Sequence, residues 1–263
     1  MKRHRSLHER LSTCRALLGL LQTQPNLALS ELTGMCGYDF LFLDGEHGVF
    51  SESEYMHTMQ VLSAVDVLAM VRLPRLDAPA LGRYLDMGAD AIVVPNVSTV
   101  EQARALVRAM EYPPSGTRGF GAAAHRVTRY GIDLVAHMKD PREGAYLIVM
   151  IESALGVSNV EDIVAVDGVD GVFIGPSDLT ADLGCAGEFS HPTYLQAIER
   201  IERAASSGGK LLGTAPHPGH PLEALLARGH RLLLLDADMP LICKAMFTQT
   251  EKARSYLHLS RAT

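Results

Sequence analysis

The chain has 263 residues, with 24 Lys+Arg against 30 Asp+Glu for a formal net charge of -6, and it is 47% hydrophobic and 21% charged. A single core of that size buries roughly 70–75% of the unfolded surface and needs no disulfide or metal staple. The composition excludes disorder and collagen-like repeats, and the mild acidity argues against a nucleic-acid binder.

In chain order, the basic stretch MKRHRSLHER at residues 1–10 lacks the apolar segment of a signal peptide and reads as a solvated first turn or a frayed end. The apolar run 16–30 is broken by Pro25 and is too short to span a bilayer, so no membrane partner is expected. Near-continuous apolar runs at about 15–21, 39–43, 67–72, 90–94, 146–151, 170–174, 210–214 and 231–235 predict eight parallel strands covered on both faces. Helix signals lie between them. Ser51 with Glu54 makes a capping box for 52–64. The segment 78–87 stops at Gly88, Ser98 or Thr99 opens 99–111, 191–207 stops at Gly208–Gly209, and 220–228 stops at Gly229. The stretch 112–144 is too long for a plain connection and reads as a functional loop. Cys14, Cys36, Cys185 and Cys243 form no CxxC pair and fit no zinc template, which suits thiols in a reducing cytoplasm. Eight β/α alternations predict a single-domain α/β fold, the (β/α)8 TIM barrel. A doubly wound open sheet is the alternative, weakened because Gly19 stands alone where a glycine-rich fingerprint would follow.

In such a barrel the reacting groups come from the C-terminal ends of strands. Those ends carry Asp44-Gly45-Glu46-His47, Arg72, Pro95-Asn96, Glu152, Gly175-Pro176-Ser177-Asp178, Thr214-Ala215-Pro216-His217 and Asp236. Glu152 and Asp178 follow successive strands and offer the oxygen ligands of a hard divalent cation, Mg²⁺ or Mn²⁺, or else cap helices or pair with arginines. His47 is a candidate general base oriented by Asp44. Arg72 is a charge partner for an oxyanion or a substrate carboxylate, or a structural ion pair. The Gly175-Pro176-Ser177 turn before a helix offers N–H groups to a carboxylate.

At these residues the sequence resembles the HpcH/HpaI aldolase family of metal-dependent class II pyruvate aldolases. The similarity runs from about 15 to 247, through YDFLFLDGEHG (38–48), VRLP (71–74), YPPSGTRGFG (112–121), IE (151–152) and GVDGVFIGPSDLTADLG (168–184). The resemblance implies a (β/α)8 barrel in homodimers or hexamers with an exchanged C-terminal helix. It implies Glu152 and Asp178 as metal ligands, His47 with Asp44 as base dyad, Arg72 beside the keto oxygen, and the backbone around Ser177 as carboxylate cradle. The expected activity is that of a carbon–carbon lyase making or cleaving 4-hydroxy-2-keto acids, with a small keto acid as substrate.

The chain departs from the family in two places. Met150 stands where the family usually has a glutamine contacting the keto acid, and no tryptophan follows strand one, where Leu20–Leu21 stand. His125, Arg126, His217 and His220 are offered instead as substrate contacts. A changed second substrate is one reading of this. A branch resembling the family makes citrate from oxaloacetate and acetyl-CoA for siderophore assembly, an acyltransferase reaction in which Arg118, Arg126 and Arg129 would meet coenzyme A phosphates. A non-catalytic binding barrel is the third reading, disfavoured by the retained acid/base and metal set.

Overall fold

The computed structural model describes residues 6–139, 142 and 144–257. The chain opens on α1 (Leu7–Thr13) and then alternates β1 (Leu17–Gln22), α2 (Leu27–Met35), β2 (Phe40–Asp44), α3 (Glu52–Leu62), β3 (Leu68–Arg72), α4 (Ala78–Met87), β4 (Ala91–Val94) and α5 (Val100–Met110). The second half runs through α6 (Leu134–Lys139), β5 (Tyr146–Ile151), α7 (Ala154–Ser158), α8 (Val160–Val164), β6 (Gly171–Ile174), α9 (Pro176–Asp182), α10 (Pro192–Ser207), β7 (Leu211–Thr214), α11 (Leu222–Ala227), β8 (Leu232–Ala237) and α12 (Asp238–Tyr256). The eight strands are parallel and closed in chain order, with β8 paired to β1. The expected TIM barrel is therefore the observed one, and the open sheet is excluded.

The continuous apolar runs follow from period-2 side-chain alternation with both faces buried. One alternating set, including Phe40, Phe42, Met70, Val93, Ile148 and Phe173, fills the barrel interior. The other, including Leu41, Leu43, Val71, Ile92, Val149 and Val172, packs outward against the helices. Gly19 serves this packing: a Cβ there would occupy the space of the Phe40 ring.

The helix signals are largely met. Ser51 and Glu54 form the capping box of α3, which ends at Leu62. Thr99 pairs with Gln102 in a capping box for α5. Gly88 ends α4 in the left-handed conformation at φ 92°, which glycine adopts without strain.

Two expectations need correction. Residues 1–5 of the basic N-terminus lie outside the described residues, but 6–13 are neither frayed nor a single turn. They form α1, capped by Ser6 and Glu9, and its Leu7 and Leu11 are buried with Leu17 of the barrel interior. These two leucines, four apart, share one helix face. The long stretch 112–144 is not structureless either. It carries 3-10 turns at 122–124 and 126–128 and then α6; residues 140, 141 and 143 lie outside the described residues.

A buried polar cluster fastens the last third of the wall. Glu202 of α10 accepts from Arg228 Nε at 2.8 Å and from His230 Nε2 at 3.0 Å. Burial alone would raise the Glu202 carboxyl, but the His230 and Arg228 hydrogen bonds more than offset it and hold it below the usual range. That stabilisation is present above the unfolded carboxylate range and lost as pH falls through the folded value. Glu202→Ala is expected to cost ~2 kcal/mol, the scale of orphaned buried donors. Urea unfolding at neutral pH measures it, and an unchanged midpoint would show the cluster to be energetically silent.

Candidate active site

The mouth of the barrel is built where the strands end. Asp44 closes β2 and Arg72 closes β3, and strand register sets them side by side. Arg72 donates from Nε to Asp44 Oδ1 at 2.9 Å and from Nη2 to Oδ2 at 2.7 Å, a fork-to-fork pair. Its third nitrogen, Nη1, lies 3.0 Å from Glu46 Oε2, and the Arg72 side chain is only 8% exposed. The guanidinium carbon sits 5.9 Å from the centroid of the Phe42 ring, so the pair rests on the apolar barrel interior. Burial alone would raise the Asp44 carboxyl, but Arg72 and the N–H groups of His47 and Glu46 more than offset it and hold it low.

This arrangement corrects the expected dyad. Asp44 Oδ1 accepts from the backbone N–H of Glu46 at 3.0 Å and of His47 at 3.2 Å. The carboxylate thus organises the loop and Arg72, not the imidazole. His47 itself stands exposed on that loop.

Glu152 follows β5 and is buried. Its Oε1 accepts from the Asn96 N–H at 2.7 Å. Asn96 aims that N–H from a left-handed conformation at φ 53°, which asparagine tolerates better than most residues. Oε2 is buried and has no hydrogen-bond partner among the described residues. Gly175 packs against this oxygen so closely that a Cβ there would collide with it. Gly175 is also the N-cap of α9, whose first turn holds Pro176, Ser177 and Asp178, and no side chain caps that end. Burial, with the charges of Glu46 and Asp178, pushes the Glu152 carboxyl up to about 7 against the opposing Asn96 N–H and Arg72. Burial likewise raises Glu46, which feels Asp178 as well.

A divalent cation fits this corner. Glu152 offers a buried, unmatched carboxylate oxygen, Asp178 is near enough for the two charges to repel, and all the donors are hard oxygens. No group of three or more His, Cys, Asp or Glu with metal-holding geometry occurs among the described residues. Such an ion would therefore take its remaining ligands from water and substrate, the habit of Mg²⁺.

The other expected contacts divide between this corner and more distant positions. Met150 is 3% exposed in the barrel interior. Its Cε lies 3.3 Å from where a Gly175 Cβ would stand, so it floors the Glu152 corner with an apolar group. His217 has both ring nitrogens engaged, Nε2 with Tyr194 Oη at 2.8 Å and Nδ1 with the Ala215 carbonyl at 2.9 Å. His125 and Arg126 are not brought to the mouth. Arg126 donates to the Met87 and Met59 carbonyls and to Ser63, at the ends of α4 and α3, beside the N-terminal ends of the strands. His125 Nδ1 lies 3.1 Å from Asp86 Oδ2. Arg118 pairs with Asp86 at 2.6 Å with its side chain 1% exposed, and Arg129 pairs with Asp133 on the surface. Their chemistry suited a substrate, but long-range packing of the 112–144 segment spends it inside the chain. Glu46 and Asn96, given no role from sequence, are part of the site. Glu46 was legible as the second acid of DGEH, whereas Asn96 acts through its backbone and left no side-chain signal.

A closed barrel with buried, charge-perturbed carboxylates at its mouth defines a (β/α)8 enzyme. The comparisons with known proteins name its kind. The model of the HpcH/HpaI aldolase/citrate lyase family matches residues 18–243. A hydroxypyruvate/pyruvate aldolase of Roseobacter denitrificans is 36% identical over 233 residues, 88% of this chain and 90% of that protein. Among solved structures, an HpcH/HpaI aldolase/citrate lyase family protein of Burkholderia cenocepacia superposes with TM-score 0.87 at 29% identity, covering 94% of this chain and 98% of that one. The citrate synthase SbnG superposes with TM-score 0.86 at 24% identity, covering 97% and 99%, a likeness of fold alone. The chain belongs to the HpcH/HpaI aldolase/citrate lyase family, and thus to the carbon–carbon lyases.

Proposed function

We propose that this chain is a metal-dependent aldolase that joins a pyruvate-type 2-keto acid to an aldehyde, or cleaves the resulting 4-hydroxy-2-keto acid. The observation that carries the reading is the buried Arg72 fork beside Glu152, whose Oε2 is buried and unmatched. Mg²⁺ or Mn²⁺ held by Glu152 and Asp178 would supply Lewis-acid stabilisation of negative charge developing on the keto oxygen. Arg72 faces the same oxygen with donors already fixed by Asp44 and Glu46, so little reorganisation accompanies the charge build-up. The first turn of α9, at Gly175, Pro176 and Ser177, receives the substrate carboxylate. Met150 meets the keto acid from below with an apolar surface.

His47 takes a proton from C3 of the keto acid. The enolate carbon then bonds to the aldehyde carbonyl carbon, and His47 returns the proton to the new hydroxyl oxygen; cleavage is the reverse. We prefer this to condensation of oxaloacetate with acetyl-CoA because Arg118, Arg126 and Arg129 are engaged away from the mouth. Purified protein assayed with pyruvate plus aldehydes, and with oxaloacetate plus acetyl-CoA, is expected to turn over only the first pair and to lose that activity in EDTA. Activity untouched by EDTA refutes the metal role, and release of free coenzyme A refutes the choice of reaction.

The expected exchange of the C-terminal helix belongs to the same reading. In α12 only Asp238 is buried, while Met239, Ile242 and Met246, spaced three and four apart on one side, are exposed. An apolar helix face left in water suits a second copy, in a homodimer or in a hexamer of three dimers. The solution mass measures this, and a monomer at micromolar concentration overturns it. A reducing cytoplasm suits the four free thiols. No helix among the described residues is long and apolar enough to cross a membrane.

A further inference from the structure

The β7–α11 connection reads Ala215-Pro216-His217-Pro218-Gly219-His220-Pro221 and leaves the barrel at its mouth. His217 and His220 close a tight turn, with the His220 N–H donating to the His217 carbonyl at 2.9 Å. Pro218 and Gly219, the latter at φ 84°, supply the type II geometry. Three prolines fix φ along the loop, so it moves as a stiff piece. The turn folds one imidazole onto the other, with ring centroids 4.8 Å apart and planes 26° from parallel. His217 also packs on Phe189 at 4.9 Å and meets Tyr194 Oη at 2.8 Å. These aromatic contacts fasten the loop to the α9–α10 connection and to the start of α10. His220 is 5% exposed, and its Nδ1 has no hydrogen-bond partner among the described residues.

We propose that the His217–His220 turn is a proton-operated latch, closed when both imidazoles are neutral, that holds the β7–α11 loop against the α9–α10 connection at the barrel mouth. In the closed state His217 donates from Nδ1 to the Ala215 carbonyl and accepts the Tyr194 hydroxyl proton at Nε2. A proton added at Nε2 reverses that bond, so the Tyr194 hydroxyl must accept and its own proton loses the imidazole acceptor, while the new charge faces the stacked His220 ring. A proton on His220 places a largely buried charge against the neighbouring ring, and its Nδ1 has no acceptor among the described residues. The groups around the pair reinforce this. Arg228 and His230 disfavour a further positive charge, and Glu202, the acid that would favour it, is already bonded to both of them. Tyr194 and Cys185 complete the surroundings. Burial holds both imidazoles below their ordinary value. The latch therefore stabilises the loop above the ordinary imidazole range, and that contribution is lost as pH falls through the folded values. An open loop gives up its contacts with Phe189 and Tyr194 beside the mouth, so the latch couples access there to acidity.

The test is amide hydrogen exchange of the intact protein, with protection compared at about pH 7.5 and about pH 5, either side of the imidazole range. Protection over 215–221 is expected to fall about tenfold or more at the lower pH, while strand amides of β4–β6 stay protected. In His217→Gln/His220→Phe, which retains an acceptor for Tyr194 and a ring to stack without a titrating group, the acid-induced loss is expected to vanish. Equal wild-type protection at both pH values overturns the latch, and so does a loss that persists in the double variant. Should the double variant lose its strand protection too, ring titration of wild-type His217 and His220 by NMR decides. Both rings titrating below the ordinary value, together with the Gly219 amide, support the latch; titration at or above it does not. None of these readouts depends on the aldolase reading.

Discussion

Replacing Arg72 with alanine is expected to lower kcat/KM by ~10²-fold or more, the scale of losing one preorganised transition-state contact. The size follows from how completely the guanidinium is fixed. Nε and Nη2 are held by Asp44, Nη1 by Glu46, and Phe42 lies beneath. The three anchors leave one orientation toward the keto oxygen. The loss should fall mainly on kcat, since charge on that oxygen builds in the transition state. A second effect is inseparable from the first. Asp44 would be left buried without its partner, and breaking a buried pair costs roughly 3–5 kcal/mol. Arg72→Lys separates the two, because it keeps the charge and loses the fork. It should recover much of the stability in urea and little of kcat. An alanine variant within about threefold of wild-type kcat/KM would remove Arg72 from the chemistry.

The strands were legible because each is buried on two faces and therefore reads as an unbroken apolar run, as Phe40–Leu43 and Leu147–Ile151 do. The mouth was legible because strand ends are where charge reappears, and Asp44, Arg72 and Glu152 all stand at or just past one. Pairing was harder. Asp44 is three residues from His47 in sequence but opposite Arg72 in the sheet, and register won over proximity. The histidines and arginines of the long loops carried no such constraint. Arg126 is placed by carbonyls of two distant helices, Met59 and Met87, which no local pattern announces. The α1 plug did leave a signal, Ser6 with Glu9 followed by Leu11, that the surrounding basic residues obscured.

Glu152→Gln is expected to abolish tight Mn²⁺ binding and to lower turnover by at least ~10²-fold, while the barrel stays folded. The fold survives because the glutamine carbonyl can still accept the Asn96 N–H and has the same volume. The cation does not, because an amide oxygen supplies no negative charge to balance it. Two further measurements separate loss of the ion from loss of structure. The first is exchange of pyruvate methyl protons into deuterated water, which follows the His47 step without any aldehyde; it should fall with turnover. The second is stability without metal. A carboxyl pushed up to about 7 binds its proton more tightly when folded than when unfolded. The metal-free wild type must therefore lose stability as pH rises from the ordinary carboxylate range through about 7. The glutamine variant lacks that loss, so above neutral pH and without metal it should unfold at a urea concentration equal to or higher than wild type. If Mn²⁺ affinity is unchanged, or the variant is the less stable of the two there, Glu152 is a structural acid and the cation belongs elsewhere.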